Sequence, residues 1–415
     1  MPRTDTIVIG GGQAGLAVSR HLTIAGRDHV VLERGRVAES WRSRWDSLRL
    51  LTPNWMNHLP GSVDDDRDPH GFLAAADLVS VLERYADASC APVLEQTAVV
   101  AVERDDRGWT VQTDGGRWRS HDVVVATGHC MLPAVPGMAG SVDPGIRQVS
   151  ADHYRNPGQL PDGGVLVVGA SATGTQLAEE LARTGREVVL AVGDHTRMPR
   201  RYRGHDICTW LDELGMWDDH IDGHPDPGRA TRSPSLQLVG STDARDVDLV
   251  SCRTLGVQLA GRVVATQGRH VRFAPAASLE RSVTSSERRL HRVLDRIDDH
   301  IARHRIDTAD GPHRPIPPTV DHTADELDLR ARGITSVLWA TGHRRSYPWL
   351  PPAALDERGE IRHRHGIGAL AGLYVVGLRF QRRRSSSFIG GVGDDARHVV
   401  EHLSGRGARP GAQAA

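Results

Sequence analysis

Apolar residues in this chain gather in short β-branched runs, each followed by a glycine-rich turn and then by a stretch with helical spacing. The first such unit is TIVIGGGQAG at Thr6 to Gly15, followed by an amphipathic stretch from Leu16 to Ile24. A run apolar on both faces suits a strand covered on both sides, so strand, tight turn and helix are predicted. A second strand is predicted at His29 to Leu32, ending at Glu33. The same grammar returns at Gly164 to Leu181, GVLVVGASATGTQLAEEL, with a strand at Glu187 to Val192. The chain therefore carries two βαβ units. Between them come a loop with Pro and Trp from Trp41 to Pro60, a helix from Ala74 to Tyr85 and a strand from Asp122 to Ala126. Alternating segments at Val99 to Glu103 and Trp109 to Thr113 predict a small antiparallel meander.

Beyond the second unit, residues 204–275 mix Gly, Pro and Asp with short strand patterns. Residues 276–306 read as one long helix, with Leu279, Val283, Leu290, Leu294, Ile297 and Ile301 near helical spacing. Strands at Ile334 to Ala340 and Leu373 to Val376 and a helix at Asp394 to Leu403 close the pattern. The expected fold class is α/β, with two dinucleotide-binding (Rossmann-like) domains, the second inserted into the first. The expected boundaries are 1–150 for the first part of the first dinucleotide-binding domain, 151–333 for the inserted second domain and 334–404 for the return to the first. Residues 405–415 are expected to be a disordered tail.

Composition narrows the chemistry. Lys+Arg total 51 against Asp+Glu 52, so no positive excess points to nucleic acid or an anionic membrane. Every basic residue is Arg, and without a Lys the chain excludes Schiff-base catalysis and the Lys of a P-loop. The cysteines, Cys90, Cys130, Cys208 and Cys252, form neither a disulfide framework nor a C-x-x-C pair, and no metal site is predicted. An apolar strand follows Met1 within a few residues, without a basic leader, and no uncharged stretch reaches the ~18 residues of a membrane span. A cytoplasmic protein is expected; its oligomeric state is unreadable.

Gly10, Gly12 and Gly15 form G-x-G-x-x-G directly after a strand and at the start of a helix, with Glu33 ending the next strand. This is the full context of a dinucleotide fingerprint: Gly10 for the tight turn, Gly12 for approach of a pyrophosphate, Gly15 for helix packing, and Glu33 for ribose hydroxyls. The second copy, Gly169, Ser171 and Gly174, puts Ser where Gly clears the pyrophosphate. The position matching Glu33 is Ala191 or Val192, with no acid, and Arg197, Arg200, Arg201 and Arg203 follow. Guanidinium groups in place of a carboxylate predict NADPH over NADH, with Arg197, Arg200 and Arg201 as candidates for the 2′-phosphate.

Two fingerprints, with Ala126-Thr127-Gly128 and Ala340-Thr341-Gly342 as repeated strand ends, resemble two-dinucleotide flavoproteins. WRSRWDSLRLLTP (Trp41 to Pro53), VLWATGH (Val337 to His343) and GLYVVGLRF…SSFIGGVGDDA (Gly372 to Ala396) resemble class B flavin-containing monooxygenases, in the CzcO-like and YUCCA-like bacterial branch. The resemblance implies FAD in the first site, NADPH in the second, and a reduced flavin that traps O₂ as a C4a-hydroperoxide to oxygenate a small organic substrate. It adds Gln13, Ala14, Arg34, Trp41, Leu50, Thr52, Val99, Thr173, Gly377, Gly391 and Val392 to the cofactor-binding candidates and makes Asn54 the catalytic candidate. RQVSADHYRNP (Arg147 to Pro157) lacks the Phe and Gly of the Baeyer-Villiger signature, and Gly377-Leu378 replaces the G-D pair of disulfide reductases. A flavin dehydrogenase or oxidase without oxygen insertion and a non-catalytic nucleotide-sensing flavoprotein remain open alternatives.

Overall fold

The computed structural model describes residues 1–62, 67–320 and 325–407. Its first sheet has nine strands, and its parallel heart runs in the order Leu373–Val375, Gly116–Val125, Arg3–Ile9, His29–Leu32, Val93–Leu94. Register aligns the apolar runs, with Ile7 between Val30 and Val123 and Tyr374 beside Val124. Leu16, Val18 and Leu22 of helix Gln13–Ile24 cover one face with Leu78 and Leu82 of helix Ala75–Ala88 and Val399 and Leu403 of the last helix. The other face is covered by the predicted meander, Val99–Asp105 and Gly108–Thr113, through Val102, Trp109 and Val111. Burial on both faces explains why the paired runs Ile7 to Ile9, Val30 to Leu32 and Val123 to Val125 are apolar at every position.

The second sheet has five strands, all parallel, in the order Gln258–Ala260, Val188–Ala191, Gly164–Val168, Ile334–Trp339, Arg147–Ser150. Helix Ala172–Arg183 packs on one face through Leu177 and Leu181. A three-stranded antiparallel layer, Val263–Gln267, His270–Phe273 and Glu326–Asp328, lies against the other. Here the pairing corrects the expected boundaries. Ile334–Trp339, assigned above to the returning segment, is a central strand of the second sheet, with Val337 opposite Leu166, and Arg147–Ser150 is its edge. An apolar run identifies a strand but not which of two sheets it joins, so a boundary at 151 or 333 cuts through this sheet.

The long helix spans Ala276–His304 and buries the predicted stripe, including Leu290, Leu294 and Ile297, against Tyr202, Trp210 and Trp217. The last helix, Val392–Gly407, takes in the start of the expected tail; residues 408–415 of that expectation lie outside the described residues. Among the described residues, no helix is long and apolar enough to cross a membrane.

Candidate active site

Both sheets build the same feature at the C-terminal ends of their strands. Gly10 has φ +114°, and a Cβ there would lie 2.6 Å from the Ala126 carbonyl oxygen; Gly169 has φ +107° and meets the Ala340 carbonyl oxygen in the same way. Cβ atoms on Gly15 and Gly174 would overlap the carbonyl oxygens of Gly10 and Gly169. These four glycines are therefore required for the turn and for helix packing. Gly12 has an ordinary φ of −87°, and a Cβ on it would meet nothing within 4 Å. Its contribution is room in front of the helix, where a phosphate would sit. Neither helix Gln13–Ile24 nor helix Ala172–Arg183 has a side-chain cap or an acid in its first turn, which leaves N–H donors and the positive end of the dipole facing that space.

The first unit opens on a cavity of about 600 Å³, the second on one of about 1110 Å³. Gly10, Gly12, Gln13, Ala14, Glu33, Arg34, Trp41, Val99, Ala126, Thr127, Gly128 and Gly377 all line the smaller cavity. Glu33 is held in place by backbone donors, accepting at Oε2 from Gly11 N at 2.6 Å and at Oε1 from Gly35 N at 2.9 Å. Its remaining lone pairs stay available for a ribose. Trp41 Nε1 donates to Gln13 Oε1 at 3.1 Å, fixing the indole against the glycine turn. These groups and the open space at Gly12 fit an ADP-bearing cofactor such as FAD.

Gly169, Ser171, Thr173, Ala340, Thr341 and Gly342 line the larger cavity. Ser171 has nearly the backbone of Gly12, φ −82° and ψ −172°, and its hydroxyl donates to the Ser235 carbonyl at 2.9 Å. The Thr341 hydroxyl donates to the Ala134 carbonyl at 2.9 Å.

Several predicted residues lie elsewhere. Asn54 is buried beside a short 3₁₀ turn; its Nδ2 donates to the Asp68 carbonyl at 2.9 Å and its Oδ1 accepts from Leu73 N at 3.1 Å. With both ends of its amide committed to a loop and no place on either cavity wall, it is a structural residue. Thr52 donates to Asn57 Oδ1 at 2.8 Å and Leu50 is packed in the core, so neither lines a cavity. Gly391 is closed in by Ser385, Val392 is buried, and the smaller cavity is bounded at this end by Ser387.

The arginines also need correction. Arg197 is buried, pairing with Asp248 at 2.6 Å and Glu287 at 3.1 Å. Arg200 is 1% exposed, paired with Asp206 and stacked over the Phe72 ring at 4.8 Å. Arg201 donates to the Gly204 carbonyl at 2.5 Å in its own hairpin. None lines the larger cavity; Arg232 and Arg262 do, and Arg262 pairs at 3.1 Å with Asp194, an acid just past the strand end where none was expected. Sequence proximity misled because the chain leaves the strand end at once, while Arg232 and Arg262 return from later segments.

The cavities share a wall. His129 and Cys130, directly after Ala126-Thr127-Gly128, line both. His343, directly after Ala340-Thr341-Gly342, faces them from the second unit, with its Nε2 2.7 Å from Asp152 Oδ1. The tetrapeptide ATGH, repeated at Ala126 to His129 and at Ala340 to His343, carries that signal in the sequence.

Residues 7–211 match the family model for pyridine nucleotide-disulphide oxidoreductases. An uncharacterized CzcO-like oxidoreductase of Geobacillus kaustophilus (strain HTA426) is 30% identical over 96% of this chain and 98% of its own. Indole-3-pyruvate monooxygenase YUCCA4 of Oryza sativa subsp. japonica is 29% identical over 51% of this chain and 52% of its own. Among solved structures, a flavin-containing monooxygenase from Stenotrophomonas maltophilia has the same fold, with a TM-score of 0.68 at 18% identity, covering 98% of this chain and 100% of that one. Sequence similarity along nearly the whole of both chains, on this fold, places the chain in the class B flavin-containing monooxygenase family, among the CzcO-like oxidoreductases.

Proposed function

We propose that the chain is a FAD-dependent monooxygenase that draws its electrons from NADPH and places one oxygen atom of O₂ on a small organic molecule. The observation that carries this reading is the shared wall: two nucleotide cavities, each fed by its own fingerprint helix, meet at His129 and Cys130. A nicotinamide bound in the larger cavity then has a short path to a flavin ring bound in the smaller one. Bound FAD supplies the chemistry, accepting two electrons from NADPH and activating O₂.

The chain's own residues bind and orient. The first turn of helix Gln13–Ile24 holds the FAD pyrophosphate, Glu33 accepts from its ribose and Trp41 walls the cavity. Helix Ala172–Arg183 does the same for NADPH, with Arg232 and Arg262 on the 2′-phosphate. The four cysteines are all free and include no C-x-x-C pair, which favours oxygenation over the dithiol exchange of the disulfide oxidoreductases that share the family model.

The test is purification with FAD, then NADPH and ¹⁸O₂ consumption across a substrate library. The reading requires FAD release on denaturation and at least one compound that raises NADPH use, lowers H₂O₂ yield and gains one ¹⁸O. Stoichiometric H₂O₂ with every compound, and no label in any product, would replace it with the oxidase or dehydrogenase alternative.

A further inference from the structure

The shared wall contains a cluster to which the proposed oxygenation assigns no part. Gly128 (φ +72°) and Gly342 (φ +86°) turn the chain at the ends of their strands, so the segments that follow approach each other. Those segments are tied by a two-stranded antiparallel pair, His343 to Pro133 and Arg344 to Leu132, and by Ala134 N donating to the Gly342 carbonyl at 2.9 Å. The pairing brings His343 within electrostatic reach of Cys130 on the wall of the larger cavity, and His129 flanks the same thiol. Asp152 Oδ1 accepts from His343 Nε2 at 2.7 Å and from Arg44 Nη1 at 3.1 Å, so the imidazole is oriented from behind. The result is a cluster of Cys130, His343 and Asp152, with Cys130 on the wall of both cavities.

We propose that Cys130 is a modification site for hydrogen peroxide, oxidised reversibly to the sulfenic acid with His343 as the proton donor. The thiolate sulfur attacks one peroxide oxygen; the S–O bond forms as the O–O bond breaks. Sulfur loses two electrons, and the departing hydroxide takes the proton of the His343 imidazolium and leaves as water. A thiol reductant reverses the change. The new oxygen would project into the wall common to both cavities.

The electrostatics agree with this geometry. Burial pushes the Cys130 thiol up, but hydrogen bonds from His129 and His343, and their charge, bring it well below the usual thiol range. For His343, burial works against the charge, yet Asp152 and Cys130 together raise it to about 9, as expected for a thiolate-imidazolium pair. Arg379, also on the wall of the larger cavity, adds a further positive charge near the sulfur. The other cysteines serve as internal controls. Cys90 is exposed, whereas Cys208 and Cys252 are buried and burial pushes both thiols up, that of Cys208 to about 12.

The experiment treats the flavin-loaded protein with a few equivalents of H₂O₂ in the presence of dimedone and follows each cysteine peptide by mass spectrometry. Cys130 should be labelled at least tenfold faster than Cys90, despite the greater exposure of Cys90, with Cys208 and Cys252 protected. His343→Gln and Asp152→Asn should each slow Cys130 at least fivefold while leaving Cys90 unchanged and the buried pair protected, which shows that the variant is folded. If neither variant folds, iodoacetamide alkylation of the wild type takes their place, and Cys130 should stay reactive at pH 6, where the alkylation of free cysteine added as a reference fades. Labelling of Cys90 as fast as Cys130, a folded His343→Gln protein with an unchanged Cys130 rate, or loss of Cys130 alkylation at pH 6 in parallel with free cysteine would overturn the proposal.

Discussion

The two nucleotide units are built on one plan and differ where a ligand would be touched. Gly10 and Gly169 turn against Ala126 and Ala340, and Gly15 and Gly174 admit their helices onto Gly10 and Gly169. Gly12 and Ser171 share a backbone, but only Gly12 leaves open space, and only the first unit ends its second strand in a buried acid, Glu33. Positions where backbone meets backbone therefore kept their residue type in both units, as did the ATGH strand ends, whereas Gly12 became Ser171 and the acid Glu33 has no counterpart at Ala191 or Val192. This division separates what the fold requires from what each ligand requires, and it can be tested one residue at a time.

The largest effect belongs to the shared scaffold. Gly15→Val and Gly174→Val each drive a side chain into a backbone carbonyl that cannot step aside. Both should exceed the ~1–3 kcal/mol of ordinary overpacking and abolish soluble folded protein, with or without added cofactor. Circular dichroism and thermal melts would show it; a folded Gly174→Val protein would break the equivalence of the two units.

Arg197→Ala comes next. Removing one partner of a buried ion pair leaves Asp248 and Glu287 uncompensated, for about 3–5 kcal/mol of stability in a denaturant titration. The ratio of NADPH to NADH efficiency should stay the same, because this guanidinium does not reach the cavity.

Gly12→Val should separate binding from folding. A Cβ at this position meets nothing within 4 Å and the φ is ordinary, so the fold should survive while FAD affinity falls at least about a hundredfold, or roughly 3 kcal/mol. Flavin content after reconstitution measures it. Smaller still, Arg232→Ala and Arg262→Ala should each cut the preference for NADPH about tenfold to a hundredfold, the worth of one charge-assisted contact of ~1.5–3 kcal/mol. An unchanged preference in both would remove these residues from the 2′-phosphate site.

The same division explains what the sequence made legible. The fingerprints, the long helix and the meander follow from local rules, a glycine that no other residue can replace or an apolar stripe at fixed spacing, so the chain states them directly. The sheet partner of Ile334–Trp339 was not legible, because continuous apolarity is the same in either sheet. Nor were the cavity arginines: Arg197 and Arg200 sit closest in sequence to the strand end but were claimed by Asp248 and Asp206, while Arg232 and Arg262 arrive from segments without periodic signal. Asn54 carried a motif-like position, but only the fold shows both ends of its amide taken by backbone.

The smallest predicted effect tests an asymmetry between the units. The first sheet carries an edge hairpin, His363–Arg364 with Ile367–Gly368, and its His363 reaches the wall of the second unit's cavity. Burial, then the charges of Arg345 and His365, push this imidazole down to about 4, and its Nδ1 accepts from Gly366 N at 3.3 Å, a role the neutral ring fills. Unfolded, the same ring titrates near 6.5. Between these values the unfolded chain binds more protons than the folded one, so stability rises with pH and is lost as pH falls from 6.5 toward 4. The contribution is about 1–2 kcal/mol once partial solvent exposure of the ring is counted. His363→Gln, which keeps an acceptor for Gly366 but cannot be protonated, should therefore lose less stability than wild type between pH 7 and pH 5 in matched denaturant titrations. Equal losses in the two proteins would mean that the hairpin does not hold His363 neutral on the wall of the larger cavity.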